Sequence, residues 1–201
     1  MLLLIKLDKG FVIILSSAYY KQLMDVVLAH SKGSTWQEAK NEWYVSGQRL
    51  DKSDDDTCVC GYHPIANLYE ITNDETGDVL FPIGSVCIKK FESSRMNQGM
   101  QVASQMAELM LHDKKYFASL DHLNRAAGFS HKVIDRLYRQ HVFPPTKYNH
   151  YDPSEERDFL IKMFDRRSDL TFGQKYRLHR DLVDYVYPFL HKQRQQQLSK
   201  R

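Results

Sequence analysis

Three cysteines and a glycine form the strongest chemical signal in this chain. Cys58 and Cys60 lie in the run Cys58-Val59-Cys60-Gly61, and Cys87 follows later in the chain. Structural zinc takes four nitrogen or sulfur ligands in a tetrahedron. Gly61 supplies the backbone freedom that two thiolates in one tight turn require, and Cys87 is expected at the start of a helix, where the dipole favours a thiolate. The pattern therefore predicts one structural Zn²⁺ ion with these three cysteines as ligands.

The identity of the fourth ligand stays open at this stage. His63 closely follows the two cysteines and is the first choice, whereas a distant His, an Asp or a water molecule are the alternatives. Four protein ligands would close the coordination shell, as in structural sites, and a water would leave the open position of a catalytic site. The competing interpretation is three buried thiols without a metal, since free Cys is commonly buried.

The elements around the cysteines are predicted to bring them together. Residues 67–72 and 78–83 are expected to be the strands of a β-hairpin, joined by a turn at 73–77, with Ser85 starting a helix behind them. A cysteine turn, a hairpin and a ligand on a helix together resemble a treble-clef zinc site. A two-stranded hairpin is barely stable alone in water, so a bound ion would add folding free energy where the core is small.

The whole chain is predicted to be an α+β protein. An α+β domain at 1–91 would carry an N-terminal hairpin, two helices and the zinc-clasped hairpin, and a helical domain would fill 92–192. Hydrophobic periodicity and capping residues place the individual elements. The predicted elements are a hairpin at 1–15, helices at 16–30, 35–44, 93–112, 119–127, 130–141, 152–166 and 171–192, a loop at 46–57 and a frayed polar tail at 193–201.

Composition and charge limit the class of protein. Among 201 residues, 42% are hydrophobic and 26% are charged, which is typical of a folded globular chain. Residues 1–88 hold 7 Lys or Arg against 12 Asp or Glu, a balance of −5, and the rest holds 21 against 13, a balance of +8. Neither a signal peptide nor a membrane span is expected, so the predicted location is the reducing cytoplasm of a bacterial host.

Two surfaces are candidates for binding a partner. An acidic patch near the cysteines could meet a basic protein and would repel phosphate. The segment 120–138 has helix-turn-helix spacing, with Gly128 in the turn and Ser130 capping a second helix whose exposed basic face could contact nucleic acid; an ordinary corner between two helices is the alternative. The acidic residues are Asp54, Asp55, Asp56, Asp74, Glu75 and Asp78, and the candidate nucleic-acid contacts are His131, Lys132, Arg136 and Arg139.

The stretch from Trp36 to Phe91 resembles a family of small proteins from phages and prophages of Gram-positive bacteria. The resemblance lies in Trp36-Gln-Glu-Ala, Trp43, Cys58-Val-Cys60-Gly61, Leu68-Tyr-Glu-Ile71, Asn73, Thr76-Gly77 and Ile83-Gly-Ser-Val-Cys-Ile-Lys-Lys-Phe91. The length and the zinc cluster are also similar to zinc-containing anti-CRISPR proteins of the type II-A class, which inhibit Cas9. This resemblance implies a role but no interface residues.

No enzyme signature is present in the sequence. It has no phosphate-binding loop, no Gly-x-Ser-x-Gly elbow and no His-Glu-x-x-His pair. We therefore expect a non-enzymatic phage protein that binds and inhibits a host defence complex, with a Cas9-type nuclease as the first expectation. A DNA- or RNA-binding protein and a zinc-dependent hydrolase with an open metal position are the alternatives.

Overall fold

The computed structural model describes residues 16–49 and 55–199, so the hairpin predicted at 1–15 lies outside the described residues. Helix α1 spans Ser16–Ala29, as the helical spacing of its apolar residues predicts. Helix α2 is a single turn, Trp36–Ala39. The backbone N–H of Glu38 donates to Thr35 Oγ1 at 3.4 Å, and the Thr35 N–H donates to Glu38 Oε2 at 3.0 Å. These two hydrogen bonds form a capping box at the start of the helix.

A three-stranded antiparallel sheet follows, in the order β1-β2-β3. The strands are β1 Trp43–Arg49, β2 Leu68–Asn73 and β3 Val79–Ile83. The predicted hairpin of β2 and β3 is therefore confirmed. The predictions of a helix reaching residue 44 and a loop from 46 are wrong, because Trp43 begins an edge strand in which Trp43 and Val45 are buried and pair with Asn73 and Ile71 of β2.

The β2–β3 turn is held by the buried side chain of Asn73. Its Nδ2 donates to the His30 carbonyl at 3.1 Å and to Glu42 Oε2 at 2.9 Å. Its Oδ1 accepts from the backbone N–H groups of Glu75 and Thr76 at 2.7 and 3.1 Å. One amide therefore ties the hairpin turn to the end of α1 and to the segment before β1.

The rest of the described chain is helical. The helices are α3 Ser85–Lys89, α4 Ser94–Met110, α5 Lys114–Ser119, α6 His131–Arg139, α7 Ser154–Asp165, α8 Phe172–Arg180 and α9 Tyr187–Leu198, with a π-helical segment at Asp181–Val186 and short 3-10 turns at Leu123–Arg125 and Lys147–Asn149. The fold is α+β, as expected. The predicted helix at 119–127 is wrong, and the predicted frayed tail is still helical to Leu198, where Gln197 Nε2 donates to the Gln48 carbonyl at 3.3 Å.

Two hydrophobic cores meet along α4. One lies between α1, the sheet and α3, and includes Trp43, Ile71 and Phe91. The other lies among the C-terminal helices. The N-terminal half of α4 contributes Met96 to the first core, and the C-terminal half contributes Met110 to the second. Among the described residues, no helix combines the length and the apolar character needed to cross a bilayer.

A buried ionic cluster connects α7 with the π-helical segment. Glu156 and Asp181 are both inaccessible to solvent. Arg177 and Arg180 each place a guanidinium nitrogen 2.6 Å from a Glu156 carboxylate oxygen, and Arg180 also lies 2.7 Å from Asp181 Oδ1. Asp181 Oδ2 is buried and has no hydrogen-bond partner within the described chain. Two buried carboxylates therefore share Arg180.

Candidate metal centre

Cys58 and Cys60 are presented by a tight knuckle. The Gly61 N–H donates to the Cys58 carbonyl at 2.7 Å, and the Cys58 N–H donates to the Tyr62 carbonyl at 2.9 Å. Gly61 has φ of +86°, a conformation in which a side chain would be strained. The sequence-based role of this glycine is thereby confirmed.

The knuckle is anchored to its neighbours through Val59. Its N–H donates to the Pro82 carbonyl of β3 at 3.0 Å, and its carbonyl accepts from Gln22 Nε2 of α1 at 3.3 Å. The two cysteines are therefore held between α1 and the end of the hairpin.

The three cysteines converge, as the sequence predicts. Cys87 lies in the short helix α3, directly after β3, and its Sγ is 3.6 Å from Cys58 Sγ and 3.4 Å from Cys60 Sγ. All three sulfurs lie within 4.8 Å of one another. Zinc–sulfur bonds of about 2.3 Å in a tetrahedron place sulfurs about 3.8 Å apart. The group is therefore positioned to hold a metal ion.

The electrostatics of the cluster match this assignment. Hydrogen bonding with Cys87, aided by the backbone N–H of Gly84 at 3.4 Å, lowers the pKa of Cys58 to about 5. Burial raises the pKa of Cys60, and hydrogen bonding with Cys58 together with burial raises the pKa of Cys87. A divalent cation bound by all three sulfurs would displace the protons that remain on them, because metals bind thiolates.

His63 does not join the cluster of sulfurs. Its Nδ1 lies 3.2 Å from Thr57 Oγ1, and its Nε2 lies 3.6 Å from Asp55 Oδ1. The group of converging ligand atoms contains the three cysteines alone among the described residues. The geometry thus brings together three of the four predicted ligands, and the role of His63 stays a prediction.

A groove of about 560 Å³ opens beside the cysteines, and we call it the metal-site groove. All three cysteines line it. Its walls also include Tyr20 and Leu23 of α1, Tyr62, Ile65, and Val86 of α3. No Asp, Glu or His is among the described residues that line it, and Lys90 is their one charged member. Tyr62 and Val86 are close in sequence to the cysteines, so part of this groove could be predicted, whereas the wall from α1 is brought there only by folding.

The predicted acidic patch is divided between the two ends of the hairpin. Asp74, Glu75 and Asp78 lie at the β2–β3 turn, whereas the cysteines lie at the opposite end of the hairpin, near Asp55 and Asp56. Each turn carboxylate has a basic partner: Arg95 for Asp74, Lys32 at 3.1 Å for Glu75, and His30 at 2.9 Å for Asp78. Asp54 lies outside the described residues. The described members of the predicted acidic patch therefore form two separate groups.

The predicted nucleic-acid face on α6 is smaller than expected. Ser130 caps the helix through the Val133 N–H at 3.3 Å, as predicted, but the helix expected before Gly128 is replaced by a 3-10 turn. Arg136 is partly buried and donates to the Ser46 carbonyl at 2.6 Å, and burial lowers its pKa. The His131 ring lies 2.7 Å from an Asp165 carboxylate oxygen. Lys132 and Arg139 remain exposed.

Gly128 allows the close approach of this corner to α4. It has φ of +83°, and a Cβ added there would lie 2.7 Å from Leu109 Cγ and 2.9 Å from the Gln105 carbonyl oxygen. The corner is therefore packed against α4.

Neither protein-family models, nor curated proteins, nor solved structures match this chain.

Proposed function

We propose that this chain is a non-enzymatic, zinc-stabilised binding protein. The observation that carries the proposal is the convergence of Cys58, Cys60 and Cys87 from a knuckle and a helix, with sulfurs 3.4 and 3.6 Å apart. Three thiolates favour zinc over the hard cations, which prefer oxygen. A hydrolytic site would also need a general base close to the metal, and the described residues of the metal-site groove include no carboxylate and no imidazole.

Metal analysis of the purified protein tests the zinc site. We expect one zinc per chain in the wild type and a loss of stoichiometric zinc in Cys60→Ser and Cys87→Ser. His63→Ala is the informative companion, because weaker zinc binding in this variant assigns the fourth position to His63. Gly173→Ala is a matched control, since nothing lies within 4 Å of the added Cβ. A wild-type protein that binds no zinc under reducing conditions contradicts the proposal.

We further propose that the partner is a host defence complex, with a Cas9-type nuclease as the first candidate, and that the protein is of phage origin. What supports this target is the resemblance of the segment from Trp36 to Phe91 to phage proteins, together with acidic groups at both ends of the hairpin that suit a basic nucleic-acid channel. In this proposal the protein occludes the channel rather than cutting or modifying a substrate.

A DNA-cleavage assay with purified Cas9 and guide RNA tests the target. Inhibition is expected at equimolar protein, and it should weaken in Asp74→Asn combined with Glu75→Gln if the turn group contacts the nuclease. Asp158→Asn provides a control on a half-exposed carboxylate of α7. The absence of inhibition at a large molar excess removes Cas9 as the target while leaving the zinc site untouched.

A further inference from the structure

The proposed zinc ion lacks a fourth donor within the converging group of the described chain. We infer that the fourth coordination position opens into the metal-site groove and receives the imidazole of a histidine on a partner protein. This inference rests on the proposed zinc site and names the surface and the chemistry by which the protein would hold its partner.

All three cysteines border the groove. Cys58 and Cys60 line the groove from the knuckle, and Cys87 lines it from α3, so an ion held by all three also borders this cavity. Of the chain's histidines, His63 is nearest to the cysteines in sequence, but its ring nitrogens face Thr57 and Asp55. A donor that enters the groove can therefore reach the ion.

The charge of the site selects a neutral donor. Zn²⁺ with three thiolates carries a net charge of −1, and Lys90 is the one charged side chain among the described residues lining the groove. A fourth thiolate or a carboxylate would add a second negative charge against apolar walls, where an uncompensated charge is costly. Imidazole binds metals in its neutral form and is a nitrogen ligand that suits zinc.

The walls of the groove select a donor that carries apolar surface. Tyr62 and Val86 flank the cysteines and are 51% and 68% exposed, respectively. Their exposed faces lie beside Tyr20, Leu23 and Ile65 in a cavity of about 560 Å³, within the usual range of ligand sites. A water ligand would leave this surface uncovered, whereas a histidine flanked by apolar residues would bind the metal and cover the walls together.

Cobalt substitution of the full-length protein tests the inference, because Co²⁺ in a thiolate site reports its fourth ligand by visible absorption. The probes are imidazole, the peptide acetyl-Leu-His-Leu-amide and its matched control acetyl-Leu-Ala-Leu-amide. We expect imidazole to shift the absorption saturably, the His peptide to bind at least about tenfold more tightly because its leucines are buried, and the Ala peptide to cause no shift. Val86→Ser should keep stoichiometric cobalt and weaken the His peptide by about threefold to tenfold.

Three outcomes would overturn the inference. Cobalt bound to the cysteines with no response to imidazole or to the His peptide refutes the open position while leaving the zinc site in place. A spectrum that responds to imidazole only in His63→Ala assigns the fourth position to His63 of the same chain. A protein that binds no cobalt through its cysteines removes the metal site itself, and the proposed function fails with it.

Discussion

The buried carboxylate of Asp181 should make the stability of this protein fall as the pH rises toward neutrality. The perturbation that isolates it is Asp181→Asn, which keeps the size of the side chain and removes its charge. Arg180 lies 2.7 Å from Asp181 Oδ1 and can still donate to the amide oxygen of the variant. The second oxygen of Asp181 is buried without a hydrogen-bond partner among the described residues, so its ionised form is poorly solvated.

The sign and size of the effect follow from the local environment. Burial, reinforced by the neighbouring Glu156 carboxylate and opposed by Arg180, raises the pKa of Asp181 from 3.8 to about 7. Between these two values the folded protein holds a proton that the unfolded chain has released, so the free energy of unfolding falls as the pH rises. At about 1.4 kcal/mol per pKa unit, the whole shift corresponds to about 4 kcal/mol as an upper bound.

Urea unfolding followed by circular dichroism, from about pH 4 to about pH 8, measures this difference. The stability of Asp181→Asn relative to the wild type should rise by up to about 4 kcal/mol across that range. Any pH dependence of metal binding cancels, since both proteins carry the same cysteines. Asp184→Asn is the matched control, because Asp184 is exposed on the same π-helical segment. Parallel profiles for the wild type and Asp181→Asn would refute the argument.

Three further predictions address packing, the hairpin turn and the α6 surface. Gly128→Ala should lower the free energy of unfolding by about 2–4 kcal/mol, because the positive φ of Gly128 and its close contact with α4 both oppose a Cβ. The control Gly173→Ala should change the free energy of unfolding by less than about 1 kcal/mol. Equal urea midpoints for the two variants would contradict this. Asn73→Ala should lower the free energy of unfolding by about 2–4 kcal/mol, because the polar groups around the turn lose their hydrogen-bond partner. Thermal unfolding that matches the wild type would count against this role of Asn73. If α6 binds nucleic acid, Lys132→Ala combined with Arg139→Ala should make the logarithm of the binding constant fall less steeply with the logarithm of the salt concentration, by the equivalent of about two phosphate contacts. An unchanged slope in gel-mobility titrations removes that function.

Local signals in the sequence predicted the elements that depend on neighbouring residues. The capping boxes at Thr35 and Thr171 both form, since each uses contacts three residues apart. The hairpin of β2 and β3 was also predictable from its turn residues. Cys58 and Cys87 are 29 positions apart, but their convergence was predictable because metal binding requires several thiolates around one ion.

Features created by distant contacts were not predictable in the same way. Trp43 follows a helical signal but enters a strand, because β1 pairs with β2, whose partner residue Asn73 lies 30 positions later, and strand preference depends on such context. The ionic cluster joins Glu156 to Arg177 and Arg180 across two helices. Each of these charges is typical of an exposed surface residue in the sequence. Only the packed structure reveals that Glu156 is buried and that both arginines are partly buried against it.

The packing around the cysteines changes what the metal is expected to do. The knuckle is bonded through Val59 to β3 and α1, and α3 is held by Ile88 and Phe91, which are fully buried. Both sides of the site are thus positioned by contacts other than the ion. An ion bound there would therefore meet a largely preformed site, unlike the ion of a zinc finger, which is unfolded without metal. Chelation should then lower the melting temperature. The loss of stability should be about 2.7 kcal/mol for a protein that was first held at a free zinc concentration a hundredfold above the dissociation constant. The far-ultraviolet circular dichroism at room temperature should stay unchanged. Loss of helical signal on chelation would show instead that the ion organises the fold.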